Sequence, residues 1–327
     1  MRRCHGAFQL DRMGIGTAVL LALAASPAPA RAAESLQIYL NRMMQERTGA
    51  VIVSDPRTGQ VLAVWNPQAA FREAYPPGST AKIVVGAAAL EEGVITPQQR
   101  ILCHRVPRLL GEAYHCSHPP ALQPYDLSEA LANSCNYFFS EVSARLSAPA
   151  LAHWYAVFGF GMAEGEDAAG EVQIPDKARE KALAALGDVG VTATPAQVLL
   201  AYSALAARGK VFRLIMPGQH KAPALDRVVT LRASTVAVLG AGLRDCVTRG
   251  SGRAAAVAGR SIAGKTGTAP ALDGSHATHA WFVGYAPAEA PQVAVVIFLK
   301  RGTGGADAAP LAGRIFRQYF AQKPSTP

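Results

Sequence analysis

The sequence predicts an α+β fold: an antiparallel sheet flanked by helices. Two observations carry this. Helical patterns dominate the chain up to about residue 247, and strand-like runs followed by one more helix close it. In addition, the helix that should begin near Ser79 is apolar nearly all round, which places it at the centre of a domain rather than on its surface.

The N-terminal 32 residues read as a secretory signal peptide. Arg2, Arg3 and Arg12 precede an apolar run over residues 13–25, and the small-x-small triplets Ala28-Pro29-Ala30 and Ala30-Arg31-Ala32 follow. The run is shorter than the ~20 apolar residues a spanning helix needs. Export to the periplasm or cell envelope follows, with an uncleaved inner-membrane anchor as the other reading. Residues 33–327 would then form one large domain.

Within that domain, the apolar runs 50–53 and 61–65 flank the turn-rich Asp55-Pro56-Arg57-Thr58-Gly59, an antiparallel hairpin. Pro76-Pro77-Gly78 breaks the chain before the buried helix, which should end near Gly93. Residues 126–132 read as a capped helix. Residues 154–160 lead into glycine-rich, acidic chain up to Glu171. Thr194-Pro195-Ala196-Gln197 opens a helix to about Ala207, with Gly209 as its stop. Val236, Leu239, Leu243 and Val247 give helical spacing over 231–247. Strands are expected over 261–268, 281–285 and 293–300, and a closing helix over 310–320.

Three segments carry the chemistry. Ser79-Thr80-Ala81-Lys82 puts a hydroxyl and an amine three residues apart, on one face of a helical turn. A serine needs an adjacent base to act as a nucleophile, and Lys82 can be that base only if burial or a second cation lowers its pKa. The helix start offers unpaired N–H groups and a positive dipole end, both of which favour an oxyanion. Ser134-Cys135-Asn136 adds a hydroxyl able to bridge two lysines and an amide suited to a substrate amide. Lys265-Thr266-Gly267-Thr268 adds a cation and two hydroxyls suited to a carboxylate. Gly267 would let an extended peptide lie against the strand.

These three motifs, in this order, resemble the transpeptidase domain of penicillin-binding proteins, whose signature class A β-lactamases share. The resemblance runs from about Thr48 to Phe320. It includes Pro77-Gly78-Ser79-Thr80, Phe158-Gly159-Phe160-Gly161, the stretch 191–209, Ala263 to Ala269, and Trp281-Phe282-Val283-Gly284-Tyr285. It implies a penicillin-binding/β-lactamase-like fold with an all-helical lobe. Ser79, Lys82 and Ser134 would be catalytic; Asn136, Lys265, Thr266, Gly267 and Thr268 would bind substrate, and the Ser79 and Thr268 N–H groups would form the oxyanion hole. The implied activity is that of a D,D-transpeptidase or D,D-carboxypeptidase acting on peptidoglycan stem peptides through an acyl-serine, trapped by β-lactam antibiotics. No cofactor is needed for it, and no metal is assigned to the catalytic site.

Two alternatives stay open, a β-lactamase and a non-turnover β-lactam or muropeptide sensor. Asn136 argues against class D β-lactamases, which carry an apolar residue there. Glu164, Glu166, Glu171 and Glu180 lie where a class A enzyme holds its deacylating glutamate. The short stretch between residue 33 and Ser79 has no room for a glycosyltransferase or pedestal module, which favours a stand-alone enzyme. Any cell-wall synthesis partners are unspecified.

The net charge of +9 falls to +6 when the four arginines and one aspartate of the first 32 residues leave. That serves solubility and attraction to an anionic wall polymer; no basic-aromatic array points to nucleic acid. Cys103, Cys116, Cys135 and Cys246 remain. His104, His115 and His118 lie close to the first two cysteines. A Cys103–Cys116 disulfide suits an oxidising compartment and is the favoured reading. A structural zinc held by Cys103, Cys116, His118 and Cys135 is the alternative, free thiols the third.

Overall fold

The computed structural model describes residue 1 and residues 34–163, 167–271 and 273–322. The signal-peptide reading and Glu164 and Glu166 lie outside these residues. The chain divides into compact units Met1–Ala33 and Glu34–Pro327, and the second holds the fold.

Helix α1 (Leu36–Met44) is capped by Ser35, whose hydroxyl accepts from the Ile38 N–H. The predicted hairpin follows as β1 (Gly49–Ser54) and β2 (Val61–Trp65), paired antiparallel with Val51 opposite Trp65. After α2 (Pro67–Arg72) comes a 3₁₀ turn, Gly78–Ala81, and only then α3 (Lys82–Glu91). The helix expected from Ser79 thus begins with a tighter turn. In 3₁₀ geometry residues i and i+3 eclipse, so Ser79 and Lys82 share a face more closely than on an α-turn. Every α3 residue from Lys82 to Leu90 is buried, as its all-round apolar surface requires.

A long excursion leads to α4 (Leu127–Ala132), α5 (Asn136–Arg145) and α6 (Ala148–Val157). Asp126 and Glu129 form the capping box that made α4 legible. The two-residue strands β3 (Glu171–Val172) and β4 (Val191–Thr192) pair across α7 (Ala178–Leu186). Helix α8 (Pro195–Ala206) starts at a Thr194–Gln197 capping box and is buried along its whole length. A small hairpin, β5 (Lys210–Phe212) and β6 (Leu225–Val228), precedes α9 (Ala233–Thr248). Strands β7 (Ala263–Pro270), β8 (Thr278–Ala286) and β9 (Val293–Leu299) then lead through a π turn, Gly304–Ala308, to α10 (Ala309–Gln322).

The main sheet has the order β2-β1-β9-β8-β7 and is antiparallel throughout. It is covered on both faces, so its central strand β9 reads as an unbroken apolar run. In β9, Ala294, Val296 and Phe298 face the helical lobe around α3 and α8. Val293, Val295, Ile297 and Leu299 face α1 and α10. Strand β7 is an edge of the sheet, and the Gly78–Ala81 turn and α9 pack against it. This is an α+β architecture with a helical lobe over one sheet face, as the sequence predicts. No helix among the described residues is long and apolar enough to cross a membrane.

Candidate active site

The turn carrying Ser79 is pinned from several directions. Trp281 Nε1 on β8 donates to the Pro76 carbonyl at 2.9 Å, and the Tyr202 hydroxyl on α8 donates to the Thr80 carbonyl at 2.9 Å. The Thr80 hydroxyl donates to the Pro77 carbonyl at 2.7 Å, and the Gly78 N–H to the Gly187 carbonyl at 2.9 Å. Gly78 has φ +53°, and a side chain there would meet the Thr268 carbonyl. Ser79 itself is only half-buried, so its hydroxyl lies at the mouth of a rigid frame.

Ser134 is set by how α4 ends. The Cys135 N–H bonds back to the Ala130 carbonyl and the Ser134 N–H to the Leu131 carbonyl, with Ser134 itself at φ +55°. This is a Schellman closure, whose left-handed position usually holds glycine. A serine there costs roughly 1 kcal/mol or more, and its side-chain contacts supply the reason. Ser134 Oγ accepts from Lys265 Nζ at 2.8 Å and from Lys82 Nζ at 3.3 Å. Cys135 then caps α5 with its sulfur, which accepts from the Phe138 N–H.

Lys82 Nζ also donates to the Ser134 carbonyl at 2.9 Å and to Asn136 Oδ1 at 2.6 Å. It makes no hydrogen bond to Ser79 Oγ; the link between the two is a backbone bond from the Lys82 N–H to the Ser79 carbonyl. Lys82 and Lys265 are both 0% exposed. Burial, and secondarily the neighbouring Lys265, lower the Lys82 pKa to about 7. Burial likewise lowers Lys265 to about 8. An amine that exchanges its proton near neutrality can act as a base, and a buried pair of cations astride one hydroxyl can pass a proton along it.

Three residues read as substrate-binding also make close contacts within the protein. Asn136 has both ends engaged by the protein: Oδ1 with Lys82, and Nδ2 donating to the Tyr114 carbonyl at 3.1 Å. It ties Lys82 to the Tyr114 loop and keeps one N–H and one Oδ1 lone pair outside these two bonds. The Thr266 hydroxyl is turned to the Ser251 hydroxyl at 2.7 Å, leaving Thr268, which is exposed and accepts from the Gly304 N–H, as the hydroxyl facing solvent. Gly267 packs directly against the nucleophile turn. A Cβ there would lie 2.9 Å from both the Pro77 oxygen and Thr80 Cγ2. The glycine lets β7 press against the nucleophile turn.

Two residues of the site escaped the sequence reading. Ser251 anchors Thr266; its only signal was the glycine-flanked Gly250-Ser251-Gly252. Asp188 is buried, and burial pushes its carboxyl up to about 7, against the opposing pull of Lys82. Asp188 is aimed by a second Schellman closure: its N–H bonds to the Leu183 carbonyl behind Gly187, at φ +78°, and Gly187 in turn holds Gly78. Of the candidate glutamates, Glu171 and Glu180 are described, and they do not join them. Glu171 is exposed and accepts from Gln173, and Glu180 pairs with Lys177 at 3.9 Å.

Behind the Ser134 junction lie Cys103, Cys116, His118 and Cys135, all buried. The favoured disulfide is not formed: the Cys103 and Cys116 sulfurs stand 3.7 Å apart, a contact and not a bond. His104 and His115 stay outside this group; His104 packs edge-on to Tyr137, and His115 is exposed.

Residues 49–320 match the model of the penicillin binding protein transpeptidase domain. The peptidoglycan D,D-transpeptidase PbpA of Mycobacterium tuberculosis is 29% identical, over 84% of this chain and 68% of its own. The peptidoglycan D,D-transpeptidase MrdA of Haemophilus influenzae is 28% identical over 88% of this chain, which spans 55% of that protein. Among solved structures, the ceftriaxone acyl-enzyme of penicillin-binding protein A from M. tuberculosis superposes with a TM-score of 0.74 at 25% identity, covering 86% of this chain and 77% of that one.

Proposed function

The chain belongs to the penicillin-binding protein transpeptidase domain family, and we propose from that premise that it is a serine D,D-transpeptidase acting on peptidoglycan stem peptides. One observation supports the mechanism above the others: Ser134 Oγ lies between two fully buried lysines, 3.3 Å from Lys82 and 2.8 Å from Lys265.

Ser79 Oγ attacks the carbonyl between the two terminal D-alanines, and neutral Lys82 takes its proton. The developing oxyanion sits toward the N–H groups of Ser79 and Thr268. Ser134 relays a proton from the lysine side to the departing D-alanine amine as the C–N bond breaks, leaving an ester on Ser79. Lys265 and the Thr268 hydroxyl orient the terminal carboxylate. An acceptor amine then attacks the ester, forming the cross-link and freeing Ser79; water in its place gives carboxypeptidation. A β-lactam enters by the same attack, but its opened ring stays attached, so the ester persists.

A synthetic stem pentapeptide, incubated with the purified protein and an amine acceptor, tests this. Release of D-alanine with formation of the cross-linked product is expected, and Ser79→Ala should give neither. D-alanine release without any acceptor product would make the enzyme a carboxypeptidase, and rapid nitrocefin turnover would move it to the β-lactamases. Export to the cell envelope, where its substrate lies, belongs to the same reading and is tested by fractionation of cells producing the full chain.

A further inference from the structure

Cys103, Cys116, His118 and Cys135 converge so that one ligand atom from each lies within 4.8 Å of every other. Cys103 Sγ is 3.7 Å from Cys116 Sγ and 3.7 Å from His118 Nε2, and Cys116 Sγ is 3.8 Å from Cys135 Sγ. A tetrahedral zinc with bonds of about 2.3 Å to sulfur and about 2.0 Å to nitrogen has S···S edges near ~3.8 Å and S···N edges near ~3.5 Å. The three close contacts therefore have the edge lengths of that tetrahedron. None of the four residues is more than 7% exposed.

The surroundings suit the same occupant. Each sulfur accepts a backbone N–H: Cys103 from Arg105 at 3.3 Å, Cys116 from Tyr137 at 3.3 Å and Cys135 from Phe138 at 3.4 Å. The His118 Nδ1–H donates to the Pro119 carbonyl at 2.7 Å, which leaves the Nε2 lone pair directed at the sulfurs. Arg105, at φ +68°, turns the chain back after the first ligand. Hydrogen-bonded sulfurs and an imidazole of fixed tautomer are what a closed structural site provides.

We propose that these four residues bind one Zn²⁺ in a closed Cys₃His site. Binding displaces three thiol protons and leaves no ligand position for water. Three ligands come from the 103–118 loop and the fourth is the middle residue of the catalytic Ser134–Asn136 turn. The same loop supplies the Tyr114 carbonyl that holds Asn136, and Asn136 in turn holds Lys82. The metal thus braces the turn from behind. This last clause rests on the acyl-serine reading; the metal site does not.

The test uses the full purified chain, produced with zinc and dialysed against metal-free buffer. Elemental analysis should find one zinc per chain. Replacement by Co²⁺ should give tetrahedral d–d bands with thiolate-to-cobalt charge transfer. Chelation should expose to alkylation three thiols that the metal protects, a readout that needs no variant. Cys103→Ser should lose the metal, whereas Cys246→Ser, outside the cluster, should keep it. A chain that takes up no zinc, a Cys103–Cys116 disulfide found by mass spectrometry, or a Cys103→Ser variant that binds as wild type would overturn the site. Chelation should also slow acylation by a fluorescent penicillin about tenfold or more, restored by zinc. Unchanged acylation without metal would overturn the brace while leaving the site. Zinc bound to a chain that no penicillin labels would instead sink the acyl-serine reading.

Discussion

Lys82 carries the heaviest demand of any single residue, because it must be neutral where lysine is ordinarily charged. Its pKa of about 7 reflects burial first and Lys265 second, while Cys135, Cys116 and Asp188 pull it upward. In the proposed mechanism the neutral form is the base, so acylation by a β-lactam should rise with pH through an apparent pKa near 7 and then level. Asp188→Asn removes one of the groups that hold the proton on Lys82. The acid limb should therefore move to lower pH, and stopped-flow acylation across pH reads the shift. Movement to higher pH would contradict the assigned electrostatics. Lys82→Arg should cut acylation by roughly 10²–10⁴-fold, since arginine stays protonated. Lys265→Arg should keep a measurable fraction, since that position needs charge; equal loss at both would contradict the separate roles. The sequence offered Ser79 and Lys82 through their three-residue spacing, and Ser134 and Lys265 through the resemblance of the three motifs to a known family. Asp188 was not legible, because an aspartate in a glycine-flanked turn looks like any solvated turn residue until the fold buries it.

At the level of elements, the catalytic groups are aimed by helix ends. Two Schellman closures, at Ser134 and at Gly187–Asp188, turn residues from α4 and α7 toward the N-terminal turn of α3. The α4 and α8 capping boxes could be read from the sequence, because each is a local pattern of four residues. Helix α5 could not: its N-cap is a cysteine, which gives no such signal, and its residues alternate between apolar and polar too irregularly for periodicity alone. Strand β7 fits against the nucleophile turn only because Gly267 lacks a side chain. Gly267→Ala should force the two apart, costing about 1–3 kcal/mol in chemical denaturation and slowing acylation through displacement of Ser79. Wild-type acylation in a folded Gly267→Ala variant would show that this contact does not set the geometry. Gln197, by contrast, serves the frame alone. Its Nε2 faces the carbonyls of Gly159, Met162 and Ala169 at 3.2, 2.9 and 2.6 Å. Gln197→Leu should destabilise by about 1–3 kcal/mol yet leave the acylation rate of the folded protein near wild type; a matched loss of both would place it in the site.

At the scale of the described domain, the sheet brings its early and late strands together. Strand β1 pairs with β9, Gly49 opposite Leu299 and Ser54 opposite Ala294, so the first strand closes beside the last. Local periodicity showed the hairpin and the late strands but not their adjacency, since the pairing spans nearly the whole domain. The cysteine cluster was offered by the sequence only as the alternative to a Cys103–Cys116 disulfide, because Cys135 meets the other two only once α4 and α5 are packed. The result is one rigid frame in which the sheet supplies Lys265, the 3₁₀ turn Gly78–Ala81 and the start of α3 supply Ser79 and Lys82, and the helical lobe supplies Ser134. The account requires that this frame present one nucleophile. Incubation with a penicillin, followed by tryptic digestion and mass spectrometry, tests that most directly. The intact antibiotic mass should appear on the peptide containing Ser79, persist for many minutes, and be missing from Ser79→Ala. A stable adduct on any other residue, or equal labelling of Ser79→Ala, would contradict it.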